Sequence, residues 1–359
     1  MGGETPAVDS SDLRQLLKDG LEDTFPGAVA AIGRLSEGSN DTRLTVRIGE
    51  RDPACGLPMT TETRFDLASL TKPIVTTTLL FQLVENGTVT LDDQLDRYLP
   101  EIEGTDRGAI LLHELVTHTS GLQPYIYSDA WESRDDVLTD LLERDLRSTS
   151  SDQRFEYSCL NFVHLELVLR RATGTSLATL AEERLFRLAD MRTATMGPPD
   201  SDVPIVVTYD HDHADRPLRG ETNDPLARAL RGYSGNAGLF ATITDVVKFA
   251  ETMLRSGTTA DGERILSPAS IRAMRVERVR SDETAQGYGW RTPINRTPAP
   301  IWTDDAIGHT GYTGTSLWLD YERQAYAVLL TNAVFDDVPD LSRFRQRFHA
   351  LAAAFATSK

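Results

Sequence analysis

A serine and a lysine three residues apart are the strongest chemical signal in this 359-residue chain. Ser69 and Lys72 form an S-x-x-K tetrad within the run FDLASLTKPIVTTTLL, residues 65–80. On a helix this spacing places both side chains on one face about one turn apart, so the amine can reach the hydroxyl. Because a serine hydroxyl is a weak nucleophile until a neighbour takes its proton, the pair predicts nucleophilic catalysis. The alternative is a helix cap followed by a surface lysine.

A helix predicted over residues 72–85 would position this pair. Its apolar residues recur at helical spacing, and Asn86-Gly87 supplies a stop signal. Pro73 is tolerated in a first turn, where the backbone nitrogen has no partner to lose. Ser69 is therefore expected at or near a helix start, where backbone N–H groups can stabilise an oxyanion. Lys72 is one of only four lysines against 33 arginines, which favours a specific role for it.

The bulk composition excludes several classes of function. The hydrophobic content of 40% allows a large core, and the net charge of −17 argues against nucleic acid and anionic membranes as partners. Cys55 and Cys159 give neither a disulfide framework nor a zinc spacing, and a solvated charge cluster is favoured over a metal site at residues 210–213. No metal or organic cofactor is expected. The N-terminus lacks the features of a secretory signal, so a soluble, cytoplasmic protein is expected, although a trimmed export signal stays open.

Strand patterns near both chain ends flank a mainly helical middle. Strands are predicted at residues 28–33, 43–48, 288–291, 315–320 and 325–331. Helices are predicted at residues 12–23, capped by Ser10 or Ser11, and at 134–146, 161–173, 176–188, 244–255, 267–276 and 340–355, with a long irregular connection over 196–231. This order predicts one sheet domain formed by residues 1–80 and 225–359, and a helical domain inserted at 81–224. A site is expected in the crevice between them.

Two further motifs accompany the first. Tyr157 lies in FEYSCLNF, and His309-Thr310-Gly311 precedes a strand-like run. In this order, S-x-x-K, Y-S-x-x-N and H-T-G resemble the motifs of the serine β-lactamase and penicillin-binding-protein superfamily. The resemblance is strongest to its class C-like branch, which also holds serine esterases and D-amino-acid peptidases, and residues 115–122 and 234–249 support it. The implied fold is α+β, an antiparallel sheet flanked by helices with an inserted mainly helical domain.

The resemblance also implies roles for individual residues. Ser69 would be the acylated nucleophile, and Lys72 and Tyr157 would share the work of general base and acid. The backbone N–H groups of Ser69 and Tyr312 would form the oxyanion hole. The substrate-binding positions would be His309, Gly311, Cys159 and Asn161, of which Asn161 is also expected to steady the Tyr157 loop.

Without the other motifs, each of these residues has a structural alternative. Tyr157 precedes a predicted helix, and an aromatic core anchor is the simpler interpretation. His309 stands near two glycines, which often mark only a turn. His118 has the chemistry of a triad base, but a hydrogen bond that fixes its loop is the favoured interpretation.

Two departures from the β-lactamase pattern bear on the substrate. His309 stands where those enzymes have a lysine, so the cation that would hold a substrate carboxylate is missing or depends on pH. Cys159 stands where Y-x-N has asparagine, and a thiol cannot make the amide hydrogen bonds. Both changes favour a serine hydrolase that acts on a small-molecule carboxylic ester, or on a small amide.

The alternatives are a D-aminopeptidase, a DD-peptidase or a weak class C-like β-lactamase. From another class, the chain could be a catalytically silent ligand-binding protein on the same scaffold. No nucleic-acid or membrane partner is expected, and the sequence leaves the oligomeric state open.

Overall fold

The computed structural model describes residues 8–36, 41–147, 155–200, 202–210, 216–281, 284–294, 302–334 and 340–358. Its α-helices are α1 (Ser10–Asp23), α2 (Thr78–Glu85), α3 (Leu112–Val116), α4 (Arg134–Glu143), α5 (Cys159–Thr173), α6 (Leu177–Ala181), α7 (Pro225–Ala229), α8 (Ile243–Leu254), α9 (Pro268–Arg275) and α10 (Ser342–Thr357). π-helical turns at Lys72–Thr77 and Glu182–Phe186 precede α2 and follow α6.

The strands are short outside the main sheet. They are β1 (Gly27–Arg34), β2 (Thr42–Asp52), β3 (Leu57–Pro58), β4 (Phe65–Asp66), β5 (Thr195–Met196), β6 (Val207–Tyr209), β7 (Pro217–Arg219), β8 (Leu239–Ala241), β9 (Val279–Arg280), β10 (Ala285–Gln286), β11 (Ala306–Thr310), β12 (Ser316–Asp320) and β13 (Ala325–Thr331).

One antiparallel sheet joins the two ends of the chain. Its strand order is β11-β12-β13-β1-β2-β3, and Ala28 of the first long strand pairs with Thr331 of the last. The prediction of a single sheet built from both chain ends is therefore confirmed, as is the α+β fold class. The domain boundaries at residues 80, 224 and 225 remain a prediction.

Both faces of this sheet are covered, which explains why β1 is buried along most of its length. Side chains alternate between the faces of a strand. Ala28, Ala30 and Ile32 pack with α1 and α10, through residues such as Leu17 and Phe348. The intervening Val29 and Ala31 belong to the larger core, which extends into the helical region and includes α5 and α8.

A second, three-stranded sheet holds the segment that leads to Ser69. β4 pairs with β8 through Phe65 and Ala241, and β5 pairs with the other edge of β8. Leu67 continues this contact by donating its N–H to the carbonyl of Leu239, at 2.9 Å. The serine is thus fixed to the part of the chain that precedes α8.

Three local predictions need correction. The predicted strand at residues 288–291 is wrong: Gly289 has φ +71°, in the left-handed region, and packs against Thr77, so the backbone bends there. The cap of α1 is Asp9, which forms a capping box with Asp12, and not Ser10 or Ser11. The connection over residues 196–231 is only partly irregular, because it contains the β6–β7 hairpin and α7.

Candidate active site

Ser69 lies on a tight 3-10 turn directly after β4. The turn spans Ala68–Leu70, and Ala68 has φ +47°, a left-handed conformation that is uncommon for a residue with a side chain. Thr71 closes the turn by donating its hydroxyl to the Ala68 carbonyl at 2.7 Å, and it accepts the Leu239 N–H at 3.1 Å. The serine therefore projects from a bent, well-anchored piece of backbone.

Lys72 follows at the start of a π-helical turn, a feature that is frequent at functional sites. Its amine is buried and lies 2.9 Å from the Ser69 Oγ, so the contact expected from the spacing of the two residues is present. The same nitrogen donates to the Asn236 carbonyl at 3.1 Å and lies 3.5 Å from the Cys159 Sγ. These contacts hold the amine against the hydroxyl.

The charge state of Lys72 follows from competing effects. Burial opposes the ammonium form, whereas the ionisable Cys159 and Tyr157 side chains and the more distant Asp224 carboxylate favour it. The net result raises the pKa of Lys72 above its ordinary value, so the ammonium form is favoured beside a negatively charged neighbour. A protonated amine is a hydrogen-bond donor to the Ser69 oxygen and stabilises negative charge beside it.

Tyr157 lies beside Lys72, just before α5. The Lys72 nitrogen is 5.1 Å from the centre of its ring, and the Arg291 guanidinium is 5.8 Å from it. The ring also lies 4.5 Å from the His118 ring and 6.0 Å from the His309 ring, between centres. The phenol of Tyr157, which is distant in sequence, is therefore brought beside the Ser69–Lys72 pair.

His118 fixes the loop that carries Tyr157. Its carbonyl accepts the Glu156 N–H at 3.0 Å, and its Nδ1 accepts the Ser158 N–H at 3.1 Å. Burial, together with the charges of Lys72 and Arg291, holds the pKa of His118 well below its usual range. These contacts match the loop-fixing interpretation of this histidine rather than that of a triad base.

Asn161 lies beneath the same loop, on the first turn of α5. Its Nδ2 is 3.2 Å from the Nδ1 of His118, and its Oδ1 accepts the Ser120 hydroxyl at 2.5 Å. Asn161 is fully buried, and these two contacts hold the loop in place. Cys159, in contrast, is partly exposed, and burial of its thiol raises the pKa.

His309 lies at the end of β11 and is almost fully buried. Its Nδ1 donates to the Thr310 carbonyl at 2.8 Å, which fixes the ring orientation. Burial and the nearby cations Arg291 and Lys72 hold its pKa well below the usual range. A neutral imidazole therefore occupies the position at which the β-lactamase pattern has a lysine.

The turn after β11 brings the Tyr312 backbone next to the serine turn. Thr313 donates its hydroxyl to the Asp66 carbonyl at 2.8 Å, and Thr315 donates to the Leu67 carbonyl at 3.1 Å. A side chain at Gly311 would stand 2.5 Å from the Leu67 carbonyl oxygen, so only glycine allows this approach. The Tyr312 side chain itself is 43% exposed.

Three residues at the site were not singled out from the sequence. Asn236 gives its carbonyl to Lys72, and Arg291 lies beside Tyr157. Arg345 of α10 supports the turn after β11 by donating to the Gly311 carbonyl at 2.9 Å, and burial with the nearby Arg291 lowers its pKa to about 10. The available signal was weak: Arg291 is a lone charge after the apolar run GYGW.

The described residues contain no group of three or more His, Cys, Asp or Glu side chains that could hold a metal ion. Of the acidic run noted in the sequence, His211, Asp212 and His213 lie outside the described residues. Asp210 pairs with Arg216 at 2.8 Å and with Arg228 at 2.7 Å. Among the described residues, none of the helices is both long and apolar enough to cross a bilayer.

Comparison with known proteins agrees with this architecture. The family profile described as Beta-lactamase matches residues 13–352. A Mycobacterium tuberculosis protein described as uncharacterized is 28% identical, over 82% of each chain. Among solved structures, EstCE1, a hydrolase with promiscuous acyltransferase activity, has a TM-score of 0.74 at 23% identity, covering 96% of this chain and 97% of that one. A beta-lactamase/D-alanine carboxypeptidase from Pseudomonas syringae has a TM-score of 0.75 at 19% identity, and the match covers 94% of this chain and 97% of that one.

Proposed function

This chain belongs to the beta-lactamase family of serine hydrolases, and we propose that it hydrolyses a small-molecule carboxylic ester through an acyl-enzyme on Ser69. The observation that carries this proposal is the 2.9 Å contact between the Lys72 Nζ and the Ser69 Oγ, in a pocket that also holds Tyr157. A serine hydroxyl with a cation and a phenol beside it has the groups needed to activate the nucleophile and to stabilise charge during acyl transfer.

In this mechanism the Ser69 oxygen attacks the ester carbonyl carbon, and its proton passes to the oxygen of Tyr157, which acts as a phenolate. Lys72 acts as an ammonium ion that stabilises first the Tyr157 phenolate and then the charge that develops on the Ser69 oxygen, so it does not take the serine proton itself. The backbone N–H groups of Ser69 and Tyr312 hold the oxyanion. Tyr157 then gives the proton to the leaving alkoxide, and water repeats the sequence on the acyl group to release a carboxylic acid and restore Ser69.

The neutral state of His309 supports an ester over a substrate that carries a carboxylate. A carboxylate clamp at this position needs a cation, and a buried imidazole with a depressed pKa does not supply one at neutral pH. Esters also have better leaving groups than amides and need less help from the enzyme. The similarity to EstCE1 agrees with this choice.

Arg291 favours the second candidate, a peptidase or β-lactamase activity. Its guanidinium lies beside the Tyr157 ring, and its Nε has no hydrogen-bond partner among the described residues. A guanidinium pairs well with carboxylates, so Arg291 could replace the cation that His309 does not provide. The similarity to the beta-lactamase/D-alanine carboxypeptidase structure agrees with this alternative.

Matched substrates separate the two candidates. We expect faster turnover of a short-chain p-nitrophenyl ester than of a chromogenic cephalosporin or a D-alanyl-D-alanine peptide, and Arg291→Gln should leave ester turnover largely unchanged. Arg278→Gln is the matched control, since Arg278 also lies over a tyrosine ring, 4.6 Å from the centre of Tyr288. Turnover of the cephalosporin or the peptide that is faster than ester turnover, and that is lost in Arg291→Gln but not in Arg278→Gln, would favour the peptidase or β-lactamase over the esterase. An acyl adduct that forms without turnover of any substrate would support the silent binding protein.

A further inference from the structure

We propose that Asp66 is a positioning residue that latches the serine turn to the rest of the active site, a role that rests on the acyl-serine chemistry proposed above. Asp66 ends β4, three residues before Ser69, and its side chain is 2% exposed. Among the described residues, no lysine or arginine forms an ion pair with it, and the proposed chemistry does not use it.

Asp66 connects three separate segments of the chain. Its Oδ1 accepts the Ala68 N–H at 2.8 Å, and its Oδ2 accepts the Asn223 N–H at 2.7 Å. Its backbone carbonyl accepts the hydroxyl of Thr313 at 2.8 Å. One residue therefore holds the serine turn, the loop before α7 and the turn that carries the Tyr312 N–H.

The bond to Ala68 matters because that residue is held in an unfavourable conformation. Its φ of +47° brings the Cβ too close to the backbone for an ordinary residue, and such strain persists only where the surroundings enforce it. The Asp66 carboxylate accepts the N–H of this residue, and hydrogen bonds to a charged acceptor are the strong ones. Without the latch, we expect the turn to relax and move the Ser69 Oγ away from its aligned position.

The charge of Asp66 makes the latch sensitive to pH. Burial raises the pKa of Asp66 to about 6, against the two N–H bonds, which favour the charged form. The charged groups that act on it are Asp224, which raises the pKa, and Arg228, which lowers it. Below this pH one carboxyl oxygen carries a proton, so one of the two N–H groups loses its acceptor.

Asp66→Asn tests the proposal, because the amide keeps the shape and removes one acceptor. We expect the variant to fold. Its kcat for the ester and its rate of fluorophosphonate labelling should both fall by about tenfold to a hundredfold, with little change in KM, because a misplaced catalytic group lowers the rate by about that much. The matched control is Asp245→Asn. Asp245 is also a 2% exposed carboxylate, but it accepts hydrogen bonds from Thr193 and Thr242, outside the site.

The pH profile separates positioning from loss of stability. The ratio of wild-type to Asp66→Asn kcat/KM should shrink toward one as the pH falls from about 7.5 to about 5, because the wild-type carboxylate then becomes neutral as well. A loss caused by stability alone would not follow the ionisation of Asp66. A ratio that stays constant with pH, or labelling of Asp66→Asn at the wild-type rate, would overturn the proposal while leaving the role of Ser69 intact.

Ala68→Gly keeps the test decisive if Asp66→Asn does not fold. Glycine adopts a positive φ without strain, so the turn should depend less on its latch. On going from about pH 7.5 to about pH 5.5, Ala68→Gly should retain a larger fraction of its kcat/KM than the wild type does. In the Ala68→Gly background, Asp66→Asn should lower kcat/KM by a smaller factor than it does in the wild type. Equal retention in the two proteins would overturn the proposal. Failure of the wild type to be labelled at Ser69 would instead remove the proposed function itself.

Discussion

The Lys72 side-chain nitrogen lies 2.9 Å from the Ser69 side-chain oxygen, and the Lys72 side chain is fully buried. Contacts to the Asn236 carbonyl and the Cys159 sulfur hold the nitrogen in place. Because these two atoms are already within hydrogen-bonding distance, the cation needs no rearrangement to stabilise charge on the serine oxygen.

Lys72→Met should nearly abolish acylation, because it keeps a long apolar side chain and removes the cation beside the serine. We expect the rate of ester hydrolysis to fall by about a hundredfold to a thousandfold, the range for loss of one group that stabilises charge in the transition state. Lys248→Met is the control, since Lys248 pairs with Asp190 at 2.6 Å in another part of the molecule. Comparable losses in the two variants would remove the special role of Lys72.

Tyr157→Phe should lower kcat and leave the fold unchanged. The ring keeps its contacts with His118 and Lys72, and only the hydroxyl is lost. We expect kcat to fall by about a hundredfold, with a small change in melting temperature. Tyr98→Phe should show the reverse pattern, because the Tyr98 hydroxyl bonds to Asp93 at 2.6 Å and serves stability. Full activity in Tyr157→Phe would assign Tyr157 to packing alone.

Gly311→Ala should separate the Tyr312 backbone from the serine turn. The added methyl group would stand 2.1 Å from the Thr315 Oγ1 and 2.5 Å from the Leu67 carbonyl, so one of the two segments must move. Loss of one oxyanion donor costs about a hundredfold to a thousandfold in kcat. Gly104→Ala, where φ is +75° and the new methyl group meets no atom within 4 Å, should lose some stability but retain activity. Wild-type kcat in Gly311→Ala would contradict the proposed oxyanion hole.

Stability should decline as the pH falls below about 6.5. Burial lowers the pKa of His164 to about 4 and that of His349 to about 3, so the unfolded chain takes up protons first. Each such histidine contributes stability that is complete above about pH 6.5 and falls by about 1.4 kcal/mol per pH unit toward its folded pKa. Asp66 acts in the opposite direction, because its raised pKa lets the folded state bind a proton first.

Urea unfolding of the wild type and His164→Gln between pH 7.5 and 4.5 checks this. The free energy of unfolding should fall less steeply with decreasing pH in the variant, because one buried neutral imidazole has been removed. Parallel slopes for the two proteins would show that His164 does not contribute to the acid sensitivity.

The parts of the site that the sequence predicts are those that depend on local spacing. The Ser69–Lys72 contact follows from a three-residue separation, and the two other motifs mark the Tyr157 and His309 segments. The β1–β2 hairpin and α10 were likewise predictable, because alternation and helical periodicity are local patterns.

The remaining parts depend on contacts between distant segments. The carbonyl that accepts a hydrogen bond from Lys72 belongs to Asn236, 164 positions away. The N–H that donates to the Asp66 carboxylate belongs to Asn223, 157 positions away. No periodicity in one segment reports such a partner. The bend at Gly289 was missed for a related reason, since its cause is close packing against Thr77.

Mass mapping of a fluorophosphonate adduct tests the central claim most directly. Trypsin should release residues 65–97 as one peptide, because Lys72 is followed by Pro73. We predict a single adduct on Ser69 in this peptide of the wild type and none in Ser69→Ala. Equal labelling of the two proteins, or an adduct confined to another peptide, would contradict the assignment of Ser69 as the nucleophile.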